Sequence, residues 1–295
     1  MTTAWKIGAA LAAVAMTASP AAAERLYGLT ANNTIVTFDS AAPGTTIFSA
    51  PITGLTAGDI LTGFDLRPAN NTFYTLATSG NLYSLTRSGG SYVATLIGDL
   101  VTMTGTEVNL LGARFGVDFN PMADRLRVVT DFDQNLRINV DTAVTIVDGT
   151  ISAPGAEAFV GAAYTNSVAG AATTMLYTLD ASGNQLQLSS SPNAGTYNEI
   201  GVVSGIDFGG LNNVGFDISG RTGIAYFNNG GLLYTIDLGT AAATSLGSIG
   251  AGTLIGLTAG AVPEPASWAM MIGGFWLVGG AMRHRGAAGR RERLA

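Results

Sequence analysis

The chain has 295 residues, a formal net charge of −6, no cysteine and a single histidine, His284 in the C-terminal tail. Disulfides and thiol chemistry are excluded, and any catalysis in the body falls to carboxylates, Tyr, Ser/Thr or a hard cation. Across 24–261, eighteen acidic residues outnumber eight arginines, with no lysine. That balance is unsuited to neutralising phosphates, so nucleic acid is not an expected partner.

Residues 1–23 read as a secretory signal peptide. Lys6 supplies the positive start, Ile7–Met16 the apolar core, and Ala21 with Ala23 the A-x-A site for signal peptidase. The polar, strand-like text from Glu24 onward opens the body, 24–261.

Within the body a frame of Gly, a hydrophobic residue, Asp, a second hydrophobic residue, and Pro or Gly two places on recurs. It stands at Gly63–Pro68, Gly116–Pro121 and Gly215–Gly220, and a weaker copy, Gly161–Tyr164, has lost the Asp. Three further strand-like pieces follow each frame; after Gly63 they are 73–78, 81–86 and 92–98. In 116–149 the period-2 alternation of Leu126, Val128 and Thr130, and of Leu136, Ile138 and Val140, marks half-buried strands. Four strands per unit at a period of roughly 40–50 residues is the pattern of a β-propeller.

The two ends of the body complement each other. Residues 26–30, 34–39 and 46–52 resemble a unit without its first strand, and 253–258 resembles a first strand with no unit after it. The expectation is an all-β chain, a β-propeller of five four-stranded blades. It is closed by pairing Leu254–Thr258 with Leu26–Thr30, which removes open sheet edges.

Asp65, Asp118 and Asp217 occupy equivalent places in three frames. Three such carboxylates could bind Ca²⁺ or serve hydrolysis. Repetition favours a structural role, because scaffolds keep repeats while sites break them. Asp131, Asp133 and Asn135 begin like a calcium loop, but Leu136 stands where its Gly belongs and Thr142 where its Glu belongs, so a polar turn is expected. Arg114, Arg125, Arg127 and Arg137 concentrate half of the body's arginines in one unit and form a candidate anion site. The alternative, a solvated face paired with Asp124, Asp131 and Asp133, is favoured. The body is therefore expected to be non-catalytic and without a cofactor, Ca²⁺ being the one ion left open.

The ending, 262–295, differs in kind. Pro263, Glu264 and Pro265 break the β text, and 17 uncharged residues, Ala266–Met282, follow with Trp268 near the start. Arg283 and Arg285 come next, then Arg290, Arg291 and Arg293. As a helix the apolar run measures about 25 Å, just short of a bilayer core, and the arginines would hold its end in the cytoplasm.

This three-part ending resembles a PEP-CTERM sorting signal, of the variant in which Trp-Ala follows Pro-Glu-Pro after two residues. The resemblance implies processing by an exosortase, a membrane cysteine transpeptidase-like enzyme, in a Gram-negative host that makes extracellular polysaccharide. The body resembles a bacterial propeller-like family of unknown function, most distinctly over GVDFNPMADRLRVVTDFDQNLRINVDT (116–142). Together these imply an exported protein of the cell surface or extracellular matrix, held by its C-terminal helix until processing. Its body would be a binding or scaffold module with polysaccharide as a candidate partner. The competing expectation is a carboxylate- or calcium-dependent propeller enzyme acting on glycans or lactones.

Overall fold

The computed structural model describes residues 23–153, 158–209 and 214–260. The leader through Ala21, and Pro263, Glu264, Pro265, Trp268, Arg283 and Arg285, lie outside the described residues. Among the described residues no helix is long and apolar enough to cross a membrane.

The alternating text becomes strands in five groups and a returning strand. The first group is β1 (Arg25–Thr30), β2 (Thr34–Asp39) and β3 (Ala42–Thr53); the second is β4 (Leu61–Arg67), β5 (Thr72–Ala77), β6 (Asn81–Ser88) and β7 (Ser91–Asp99). The third comprises β8 (Phe115–Asn120), β9 (Arg125–Thr130), β10 (Asn135–Ile138) and β11 (Thr145–Val147). The fourth comprises β12 (Phe159–Tyr164), β13 (Leu176–Asp180), β14 (Gln185–Ser191) and β15 (Thr196–Val202). The fifth comprises β16 (Phe216–Ile218), β17 (Ala225–Asn229), β18 (Leu232–Ile236) and β19 (Ala243–Ser248), and last comes β20 (Leu254–Ala259).

Three of these groups form separate four-stranded antiparallel sheets, while β20-β1-β2-β3-β7-β6-β5-β4 forms one of eight strands. The eight-stranded sheet is two runs of four, joined only by the parallel pairs Ile52 with Tyr92 and Thr53 with Val93. The expected partnership of the two ends is present: Leu26 faces Ala259, Tyr27 faces Thr258 and Leu29 faces Gly256.

Local chemistry sets the hairpins. The turns after β4, β8 and β16 each close on a bond four residues long: Asn71 N–H to Arg67 O, Asp124 N–H to Asn120 O, and Gly223 N–H to Ser219 O. Each turn ends in a left-handed residue, at φ 53, 50 and 71°. Asn, Asp and Gly are the residues that visit this region at least cost. One sequence expectation shifts: Val140 does not extend its strand, which stops at Ile138, but is buried in the turn that follows.

Five apolar clusters join consecutive groups. Leu29, Phe64 and Phe73 join the first to the second; Leu76, Phe119 and Leu126 the second to the third. Val129, Phe159 and Tyr197 join the third to the fourth, and Leu179, Phe216 and Phe227 the fourth to the fifth. Leu26, Phe38, Tyr226 and Leu254 return the fifth to the first. The architecture is therefore all-β and propeller-like. Outer edges are also tied to their neighbours, by bridges from Val101 to Val144 and Ser152 to Thr196 and by Gly250 N–H donating to Pro43 O. Such ties cover backbone groups that would otherwise recruit other strands.

Candidate functional site on the ring axis

The glycines of the frame determine how closely the inner strands approach. A Cβ on Gly63 would lie 3.1 Å from Val117, one on Gly116 2.6 Å from Ala162 N, and one on Gly161 3.0 Å from Phe216. One on Gly215 would lie 2.3 Å from Leu257 N, and one on Gly256 2.9 Å from Phe64. The contacts thus run β4 to β8 to β12 to β16 to β20 and back to β4. The space left among these strands is about 10 Å³, enough for no more than one water.

Two residues beyond the glycines lies a polar layer: Asp65, Asp118, Ala163, Asp217 and Thr258. The three aspartates are 3%, 1% and 3% exposed. Each accepts a backbone hydrogen bond from the inner strand next to it: Asp65 from Phe119 N–H at 2.8 Å, Asp118 from Tyr164 N–H at 2.7 Å, Asp217 from Ala259 N–H at 2.5 Å. The repeated carboxylate thus stitches one inner strand to the following one. Thr258 Oγ bridges two of them, at 2.6 Å from Asp65 and 3.0 Å from Asp217.

The layer also brings the three carboxylates together, with one oxygen of each within 4.8 Å of the others. Burial, then the charges of Asp65 and Asp217, push Asp118 well above the usual carboxylate range. Burial and the Asp65 charge raise Asp217, and burial raises Asp65 despite the donors around it. Three ionised carboxylates cannot share this volume without protons or a counter-cation. Beyond the layer, a pocket of about 170 Å³ is lined by Leu66 and Ala259, which directly follow Asp65 and Thr258, and by Ser167, Val168 and Gly220. Its Ser167–Ala169 wall belongs to the loop after β12, in the group that lacks the aspartate.

The arginine set is dispersed among partners in the chain. Arg127, 1% exposed, donates to Tyr164 Oη, Asn135 Oδ1, Asp148 Oδ2 and Asn193 Oδ1, at 2.7–3.1 Å. Arg137 also grips Asp148, at 2.6 and 2.8 Å, and its pKa rises accordingly. Arg114 bonds Asp131 and Phe208 O, and Arg125 bonds Asp124 O. Asp131 accepts from the amides of Ala113 and Arg114, and Asn135 donates to Gly149 O and Pro192 O, so both tie loops together.

Two clamps escaped sequence reasoning. Arg67 holds Asp124 and Asp141, and Arg67 in turn pushes the Asp141 carboxyl below its usual range. Arg67 sits in the frame two residues after Asp65, and that spacing was its only signal. Glu24 is buried, with its carboxylate bonded by Ser219 and Thr222 and beside Arg221.

The fold and the axial layer define a β-propeller-like ring with a buried carboxylate core. Residues 34–258 match the family described as Domain of unknown function (DUF4394), and the chain belongs to that family. No curated protein matches. Among solved structures, a protein of unknown function from Bacteroides thetaiotaomicron shares 14% identity over 76% of this chain, with a TM-score of 0.45. The matched part spans 58% of that protein's length. Myxococcus xanthus glutaminyl cyclase shares 11% identity over 70% of this chain and 89% of its own, with a TM-score of 0.42. Likenesses this distant carry no conclusion about activity.

Proposed function

We propose that this is an exported five-bladed propeller, sorted through its C-terminal signal to the cell surface or extracellular matrix. There it would act as a non-catalytic binding or scaffold module. The eight-stranded sheet is then two blades, the first completed by β20. The observation that carries the sorting reading is the three-part ending: Pro263-Glu264-Pro265, the apolar run to Met282, then Arg283 and Arg285. Pro263 and Pro265 are ill suited to regular helix or strand, and an arginine cluster directly after an apolar run is the sequence signal that orients a span. Ala23 is exposed while Glu24 is buried, which suits removal of a leader between them by signal peptidase. Extracellular polysaccharide is the candidate partner.

The non-catalytic reading draws support from the aspartates, each of which spends one oxygen on an amide of the next inner strand. A second reading, a carboxylate-dependent hydrolase, is favoured by one observation, the 170 Å³ pocket one residue beyond the aspartate layer. Intact-mass measurement on protein from the native host tests the sorting proposal. A released species running from Glu24 to near Pro265 is expected. A membrane-bound species retaining Arg283–Ala295 would make the ending a plain tail anchor and sink the proposal.

A further inference from the structure

We propose that Asp65, Asp118 and Asp217 hold one divalent, oxygen-seeking cation of the Ca²⁺ class on the ring axis. With one oxygen from each within 4.8 Å of the others, a central ion would lie no more than about 2.8 Å from all three, close to calcium–oxygen distances. All three carboxylates are buried, and backbone amides and Thr258 donate to them. Asp65 and Asp118 lie within hydrogen-bond reach of each other, so that without a cation this pair must share a proton. The nearby guanidiniums are spent elsewhere: Arg67 on Asp124 and Asp141, Arg127 on Asp148. A buried ionised carboxylate needs a counter-charge, and none of these arginines supplies it.

A separate observation points to a missing partner. Asp217 Oδ1 is buried with no hydrogen bond, on a carboxylate that faces the other two. The Ile218 amide acts on the Asp217 carboxylate, opposing the rise that burial gives its pKa, but without meeting hydrogen-bond geometry at Oδ1. Donors also fall short of acceptors next to it. Thr258 has one hydroxyl proton, yet lies within hydrogen-bond distance of both Asp65 and Asp217. Ala163 in the fourth place adds no ligand and takes little room, leaving three carboxylates and a hydroxyl around the axis. Carboxylates in irregular array suit Ca²⁺ better than Mg²⁺, which demands an octahedron and keeps its waters.

The test uses the full chain, stripped with chelator, and does not depend on how its ends are processed. Calorimetric titration with CaCl₂ is expected to give one equivalent bound per chain. At a hundredfold excess over Kd the Tm should rise by about 5–10 °C. Mg²⁺ should produce a smaller shift. Asp217→Asn should weaken Ca²⁺ binding at least about tenfold, while Asp237→Asn, in an exposed turn, should not change it. Should Asp217→Asn fail to fold, Tb³⁺ luminescence of the wild type, quenched on adding Ca²⁺, gives the same answer. No heat and no Tm change with Ca²⁺ or Mg²⁺ up to about 10 mM, beyond the affinity range of extracellular calcium modules, would overturn the proposal. So would binding that Asp217→Asn leaves intact.

Discussion

Gly215→Ala is expected to destabilise the protein by at least about 3 kcal/mol, although it adds a single methyl. The new Cβ would stand 2.3 Å from Leu257 N, 2.6 Å from Gly256 C and 2.7 Å from Asn228 Oδ1. Two of these atoms are backbone of β20, which is held on its other side by its pairs with β1. The third belongs to a side chain that already accepts from Gly215 N–H and donates to Leu254 O, so it cannot swing away freely. Relief therefore requires the inner strands to separate. Gly90→Ala is the control, with nothing within 4 Å of the added Cβ and no positive φ. It should change stability by less than about 1 kcal/mol, its gain being a stiffer unfolded chain. Thermal melts of the two variants separate them, with a fall of roughly 6–12 °C expected for Gly215→Ala alone. Equal melting temperatures would mean that the strands have slack the structure does not display.

Arg127→Met should cost about 3–5 kcal/mol, because it strips a buried guanidinium from partners that stay behind. Asp148 keeps Arg137, but the acceptors on Asn135 and Asn193 and the Tyr164 hydroxyl lose their donor inside the protein. Asn193 lies in the short turn at 192–194 between β14 and β15, so the third and fourth groups would loosen from each other. Arg127→Lys should recover only part of the loss, since an ammonium cannot reproduce the planar fork. Arg125→Ala, two residues away on the same strand, removes hydrogen bonds to the carbonyls of Ala123 and Asp124 and a minor electrostatic contribution at Asp141. Its cost should stay below about 1 kcal/mol. Denaturant unfolding of the three variants checks the order, and parity between Arg127→Met and Arg125→Ala would refute a structural role for Arg127.

Much of this fold could be read from residues. The frame marked the inner strands because its glycine must sit where backbones meet, and this need recurs at Gly63, Gly116, Gly161, Gly215 and Gly256. The split repeat located the β1–β20 pairing because half a unit at each end leaves unpaired edges. The convergence of Asp65, Asp118 and Asp217 was harder to see, since a linear repeat fixes equivalence but not which face turns to the axis. Arg127 illustrates a second limit. An arginine at an alternating strand position reads as solvent-facing, and its burial depends on Asn193, 66 residues away. Val140 marks a third: alternation placed it in a strand, whereas its burial comes from packing without pairing. Arg67 was hidden because its partners, Asp124 and Asp141, lie in turns of the next unit.

Closure of the ring by β20 is the claim on which the rest depends, and hydrogen exchange followed by mass spectrometry tests it most directly. Amides of Leu254–Ala259 should exchange as slowly as those of Arg25–Thr30, and both segments should become exposed together as denaturant is raised toward the global transition. The pairing of Tyr27 with Thr258 and the bonds from the Thr258 hydroxyl and Ala259 amide to Asp65 and Asp217 make them one cooperative unit. Rapid exchange in 254–259 while 25–30 stays protected would show an open ring and contradict the account.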